Sequence, residues 1–340
     1  MPHKYYNAIN IFYKSQYFAL AKIWKRYRSW ERAWRGLAKK ISVDPDQEWE
    51  RLKKYQINLI LKSDEEYPKL LKEIPLAPFA LYVKGMPRFT SPAIAIVGTR
   101  KSTADGQALS YRFAQELAGQ NITVISGLAL GIDQAAHRGA VESGGQTVAV
   151  LANGLDTIYP RQHTNLATKI IAGGGAIVSE YAPGTPPYPT NFLERNRIIS
   201  GLSAGAIILE APYGSGALAT AQYAVDQNRE VFVVPGSINH INYAGSNNLI
   251  QKGAALITGI NDIFASMNWP LLNKQKSAEK QLLLSQEQKL VLNYIEHDGQ
   301  SLDIDKIVEL TRMEPRLVNQ AIAFLLVHDI IKENNGQYYL

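Results

Sequence analysis

AIAIVGTRKSTADG, residues 93–106, is the stretch on which the fold turns. Ile94, Ile96 and Val97 are branched, sit among alanines and show no polar alternation, the composition of a parallel strand covered on both faces. Gly98 stops the strand. Thr99, Arg100, Lys101, Ser102 and Thr103 then supply hydroxyls, two cations and backbone N–H groups just ahead of a helix predicted over 106–118. A loop of this kind, leading from the carboxyl end of a strand into a helix N-terminus, suits an anion. A purely structural turn has the same local sequence.

Working outward, the same strand-then-loop grammar repeats to about residue 264. Short apolar runs predict strands near 94–97, 122–125, 147–151, 176–179, 205–209, 231–234 and 255–257. Helices predicted over 106–118, 131–143 and 217–227 alternate with them, which implies a doubly wound, mainly parallel α/β sheet. Three more loops fall at strand carboxyl ends, where ligands of such sheets bind. ISGLALGIDQAAHRGA brings Ser126, Gly127 and Gly131; PTNFLERNRIISG brings Arg195 and Arg197; APYGSGALATAQYA brings Gly214, Ser215 and Gly216 at a helix start. Each has an ordinary structural reading alone, but their convergence on one sheet edge points to phosphate binding.

The chain has 340 residues, 46% of them hydrophobic, enough for two or three domains. No apolar run approaches the roughly 18–20 residues that span a bilayer, and MPHKYYNAIN has no apolar signal core, so no membrane association or secretion is expected. The absence of cysteine excludes disulfides, thiolate metal sites and cysteine nucleophiles, and fits a reducing cytoplasm. Net charge is +6, yet residues 1–60 hold 13 Lys/Arg against 5 Asp/Glu, while residues 279–340 hold 6 against 10. A basic N-terminal region beside a near-neutral centre suits a polyanionic partner, although solvated helix faces carry such charge as well.

Residues 5–55 predict helices, with Tyr13, Tyr17, Leu20, Ile23, Trp24 and Tyr27 recurring at three-to-four spacing between cations. Lys25, Arg26, Arg28, Arg32 and Arg35 interleaved with Trp24, Tyr27, Trp30 and Trp34 fit either a base-stacking surface or, more economically, an aromatic core with solvent-facing cations. The expected domains are a helical N-terminal domain (1–60), a Rossmann-like domain with an N-terminal connector (61–264), in which LYV reads as an edge strand, a linker (265–282) and a C-terminal domain (283–340). The last shows three helical patterns and IIKENNGQYYL as a hairpin, the order of a winged helix. Its net acidity, with Arg316 alone on the would-be recognition helix, argues against duplex binding there.

Several chemistries lack their motifs. There is no P-loop, no Gly-x-Gly-x-x-Gly with a following acidic residue, no HExxH and no nucleophile elbow, so no cofactor is expected. The six histidines are scattered, so no metal site is expected either. Asp133, Glu180, Glu194 and Glu210 lie near strand ends without marking an acid/base pair, and the chain reads as a binding protein rather than an enzyme.

Taken in order, VGTRKST, SGLALGID, LDTIYP, SEYAPG, NFLERNRIISGLS, SGALATA, VFVVPG and GSNNLIQKGA resemble the DprA/Smf family of bacterial DNA-processing proteins, densely over residues 60–264. The resemblance implies an extended Rossmann-like domain that binds single-stranded DNA without catalysis, forms a homodimer and loads the RecA recombinase during natural transformation. It implies Arg100, Arg195 and Arg197 as phosphate ligands, with donors from Gly98, Thr99, Ser126, Gly127, Ser215 and Gly216. Asp105 departs from the family pattern by placing a negative charge beside the proposed anion site. The alternative is a nucleotide-binding enzyme of the phosphoribohydrolase type on a related fold, which would use a carboxylate such as Glu210; those enzymes resemble PGGxGTxxE where this chain has VPGSIN.

GSNNLIQKGAALITGINDIF closes the sheet region and leaves Leu249, Ile250, Leu256 and Ile263 with limited expected cover, so a two-fold interface is predicted there unless another part of the chain covers them.

Overall fold

The computed structural model describes residues 2–87, 89, 92–271, 284–297, 301–327, 330–334 and 336–339. Two compact units emerge, Met1–Trp269 and Pro270–Leu340.

The first unit opens with four helices: α1 (Pro2–Phe12), α2 (Tyr17–Tyr27), α3 (Trp30–Leu37) and α4 (Pro45–Lys54). Ser29 caps α3 by accepting from the Arg32 N–H, and Asp44 caps α4 ahead of Pro45 at its first position. A nine-stranded sheet follows, with β1 (Asn58–Leu61), α5 (Lys69–Lys72), β2 (Ala80–Gly85), β3 (Ala93–Val97), α6 (Ala104–Gly119), β4 (Thr123–Ser126), α7 (Ile132–Glu142), β5 (Thr147–Val150), α8 (Thr164–Ala172), β6 (Ala176–Ser179), α9 (Pro189–Gly201), β7 (Gly205–Ile208), α10 (Gly216–Asp226), β8 (Glu230–Val233), α11 (Ala244–Gln251), β9 (Ala255–Leu256) and α12 (Ile260–Ser266).

Strand order is β1-β2-β6-β5-β4-β3-β7-β8-β9, parallel throughout except that β2 runs antiparallel to both its neighbours. The α/β, Rossmann-like architecture is as read from the sequence. One expectation is corrected: LYV belongs to β2, an interior strand, because NLIL (58–61) pairs outside it as the true edge.

From β3 the chain winds outward through β4, β5 and β6, then α9 carries it back across to β7 on the other side of β3. Loops leaving β3 and β7 therefore diverge, and the crevice between their carboxyl ends is the switch point of the sheet. All five residues of β3 are buried, with Ala93, Ala95 and Val97 packing on one layer and Ile94 and Ile96 on the other.

The N-terminal helices belong to the same compact unit as the sheet. Tyr6, Ile9, Leu20, Ile23 and Trp30 share a core with Leu59, Tyr82, Leu151 and Ile177. The Tyr82 hydroxyl donates to Asn7 Oδ1 at 2.8 Å and accepts from Asn10 Nδ2 at 3.0 Å, which satisfies buried polar groups across that seam. Trp30 is buried, and Trp24, Tyr27 and Trp34 pack against it, so these aromatics form core.

The second unit contains α13 (Gln286–His297), α14 (Ile304–Thr311), α15 (Pro315–Val327) and an antiparallel pair, β10 (Lys332–Asn334) and β11 (Gln337–Tyr339). Val291, Ile295, Ile307, Val318 and Leu325 form its core. The expected linker lies outside the described residues from position 272 onward; residues 265 and 266 end α12.

Candidate nucleic-acid interface

A cavity of about 650 Å3 opens at the switch point, lined by the β3 loop, the β7 loop, the start of α10 and one side of α9. Gly98, Thr99, Arg100, Lys101, Arg195, Asn196, Ser215 and Gly216 all line it. Arg100 and Lys101 are exposed, and the Arg100 guanidinium lies 5.0 Å from the Phe192 ring centroid.

These loops are less open than expected, because two carboxylates of the protein occupy them. Glu210, fully buried just beyond β7, accepts the Thr103 N–H at 2.8 Å, the Thr103 hydroxyl, Asn242 Nδ2 at 2.8 Å and the Tyr243 hydroxyl at 3.2 Å. Thr103 in turn caps α6 by accepting from the Gly106 N–H at 3.0 Å, and a Cβ at Gly106 would strike the Glu210 carboxylate. The start of α6 thus holds an internal anion, a correction to its reading as an open anion site. Asp105 lies in the first turn of that helix rather than along the cavity.

Asp133 acts likewise after β4. Its Oδ2 accepts from the N–H groups of Gly127 at 3.0 Å and Ala129 at 3.3 Å, so these two amides of SGLALGID are engaged internally. Burial raises the Asp133 pKa, against the pull of nearby Arg195. The Ser126 hydroxyl is buried and donates to the Ile96 carbonyl at 2.6 Å, so it is corrected from ligand donor to strand tie.

The two arginines of ERNR separate. Arg195 lines the cavity floor but is 4% exposed; its Nη1 donates to the carbonyls of Gly127, at 2.9 Å, and Val150, and its Nε donates to Asn196 Oδ1 at 3.2 Å. A Cβ on Gly127 would sit 2.6 Å from Arg195 Nη2, so only glycine permits this approach. Burial lowers the Arg195 pKa to about 10, with Asp133 opposing the shift and Arg100 reinforcing it. Arg197 does not line the cavity. It is buried and forms a bidentate pair with Glu180 at 2.5 and 2.7 Å, over the Tyr17 ring at 5.8 Å. Burial opposes its charge, but Glu180 outweighs this and holds it above the usual arginine range. Its expected role as a phosphate ligand is therefore corrected to a structural one.

At α10 Ser215 and Gly216 line the cavity, and Ser215 caps the helix by accepting the Ala217 N–H at 3.3 Å. Asn196 bridges the two sides, accepting from Arg195 and donating to the Gly216 carbonyl at 3.0 Å.

Sequence reading missed the aromatic rim. Tyr159, Phe192 and Tyr213 border the cavity, Tyr159 and Tyr213 being 42% and 69% exposed, and the Tyr159 and Phe192 centroids lie 5.6 Å apart. Each lies within or beside a motif that was legible (LDTIYP, NFLERN, APYGSG), so aromatics in those three motifs were the available signal.

Of the expected interface residues, Leu256 is half exposed, while Leu249 and Ile250 are half-buried against the core. Ile263 is corrected: it is fully buried between α12 and α6, among Phe113, Leu117 and Phe264. Among the described residues no helix is long and apolar enough to cross a membrane, and no cluster of three metal-ligating side chains occurs.

The crevice, with its exposed cations and aromatic faces, stands at the switch point of a Rossmann-like sheet, where ligands of this fold bind. The family model for DNA recombination-mediator protein A matches residues 58–268, and the chain belongs to that family. It is 42% identical over 215 residues to protein Smf of Escherichia coli, covering 63% of this chain and 58% of that protein's length. To DNA processing protein DprA of Streptococcus pneumoniae it is 40% identical over 207 residues, 61% of this chain and 73% of the relative. The crystal structure of the pneumococcal protein superposes with a TM-score of 0.60 at 36% identity, over 69% of this chain and 80% of that one. DNA processing protein A of Helicobacter pylori, whose structure was described for its single-stranded DNA binding mode, superposes with a TM-score of 0.56 at 31% identity, over 62% of this chain and 95% of that one.

Proposed function

We propose that this protein binds single-stranded DNA at the switch-point cavity and presents it to the RecA recombinase during DNA uptake and recombination. The observation that carries the reading is the pairing of exposed Arg100 and Lys101 with Tyr159, Phe192 and Tyr213 around one crevice. Cations hold phosphates of any sequence, and aromatic faces stack bases without reading them. Single strands bend into such a crevice and expose their bases, which a duplex cannot do. Against the hydrolytic alternative, Glu210 lies outside the cavity with both oxygens engaged by Thr103, Asn242 and Tyr243, and Asp133, which does line it, is held by the Gly127 and Ala129 N–H groups.

Titration of labelled oligonucleotides at two salt concentrations tests this. Single strands should bind in preference to blunt duplex, with log affinity falling by about 0.7 per log unit of salt for each phosphate neutralised. Arg100→Ala should weaken single-strand binding at least tenfold while changing stability by less than about 0.5 kcal/mol, as for an exposed loop residue. Equal or tighter duplex binding would sink the proposal.

Pairing of two copies through Leu249, Ile250 and Leu256 would offer two cavities to one strand and raise avidity through effective concentration. Light scattering at micromolar concentration should report a dimer that Leu256→Arg dissociates; a wild-type monomer removes this interface.

A further inference from the structure

The N-terminal helices carry a surface that the cavity does not explain. Residues 14–40 contain nine Lys/Arg and one carboxylate, Glu31. Their apolar side is committed to the core through Leu20, Ile23, Trp30 and Ala33. The opposite side exposes Lys22, Lys25, Arg26 and Arg28 on and just after α2, and Arg32 and Arg35 on α3. Among the described residues none of these six meets a carboxylate within ion-pair distance. Phe18, 70% exposed, stands on the same face of α2 as Lys22, Lys25 and Arg26, at spacings of four, seven and eight residues.

A face this rich in cations costs stability through self-repulsion unless a polyanion covers it. Its position names the polyanion. Ser15, at the corner before α2, accepts from the Ala182 N–H at 2.9 Å, and Tyr17, the first residue of α2, lies under Arg197 of α9. Helix α9 also carries Phe192, Arg195 and Asn196 of the cavity, so α2 starts on the back of the helix that forms one cavity wall.

We infer that this α2–α3 face is a second binding site for phosphates of the same single strand, engaged once the strand is longer than the cavity holds, with Phe18 offering a stacking surface. The inference rests on the reading of the cavity given above. It is more specific than general basicity, because it predicts a dependence on strand length.

The test compares the full-length protein with a fivefold variant, K22Q/K25Q/R26Q/R32Q/R35Q, on oligodeoxythymidylates of about 8 and about 60 nucleotides, the shorter within the range of one compact site. A control variant, R112Q/R138Q, neutralises exposed cations of α6 and α7. Thermal melting first establishes that the fivefold variant is folded, as expected for exposed side chains. The short strand should bind wild type and variant alike. The long strand should lose at least tenfold in affinity in the variant alone, with a shallower salt slope. Unchanged long-strand binding overturns the inference, as does a loss no greater than the control's or, in a parallel titration, a larger loss for a 60-base-pair duplex. Short-strand binding that survives Arg100→Ala would overturn the cavity reading instead, and a long-strand loss in the fivefold variant would still uphold the α2–α3 face.

Discussion

Replacing Arg197 with alanine should destabilise the protein by about 3–5 kcal/mol, the range for removing one partner of a buried ion pair. Glu180, 8% exposed in the intact protein, then loses the cation that compensates its carboxylate. Glu180→Ala should be comparably damaging, because it strands the guanidinium. The double replacement Glu180→Leu/Arg197→Met should recover much of the loss, since an apolar pair of similar volume often matches a buried salt bridge. Urea unfolding of the three variants measures all of this. A loss below about 1 kcal/mol for Arg197→Ala would mean that Glu180 finds water or another donor. Oligonucleotide affinity per folded molecule should stay near wild type, which separates Arg197 from Arg100.

Acid should unfold the protein partly through His137. Its Nδ1 donates to Thr147 Oγ1 at 2.7 Å, whose hydroxyl donates on to the Val124 carbonyl at 2.7 Å. Burial, together with nearby His163 and Arg195, lowers the His137 pKa to about 3. An unfolded histidine titrates near 6.5, so between about pH 6.5 and 3 the unfolded chain binds the extra proton. Stability therefore rises with pH across that window: it is undiminished by His137 above 6.5 and falls by up to about 1.4 kcal/mol per pH unit as pH drops towards 3. Carboxylates add their own acid dependence, so the informative quantity is the difference between wild type and His137→Gln. The variant should show a flatter acid limb, and identical slopes would show that His137 is already protonated in the fold.

The parallel strands were legible because each is a continuous branched run covered on both faces, as in Ala93–Val97 and Gly205–Ile208. β1 was not, since NLIL acquires meaning only by pairing with Leu81 and Tyr82, some twenty residues away. At the site, the loops were legible and their wiring was not. Glu210 reaches Thr103 across 107 positions, and nothing local to VGTRKST announces an internal anion. Arg195 and Arg197 look alike in ERNR, yet two positions along a helix is about 200° of rotation, so one faces the cavity and the other meets Glu180. Ile263 looked uncovered because the helix that shields it, α6, lies 144 to 159 positions earlier.

The interior position of β2 also bears on how the chain is assembled during synthesis. Tyr6, Ile9 and Leu20 are made well before Leu151, Ile170 and Ile177, which close their core, and β2 lacks its inner neighbour until Ala176–Ser179 has been made. The N-terminal helices can pack on one another and on β1 early, but their core stays open on the sheet side for more than a hundred further residues. Chain growth at 5–20 residues per second makes that interval about 8–30 seconds.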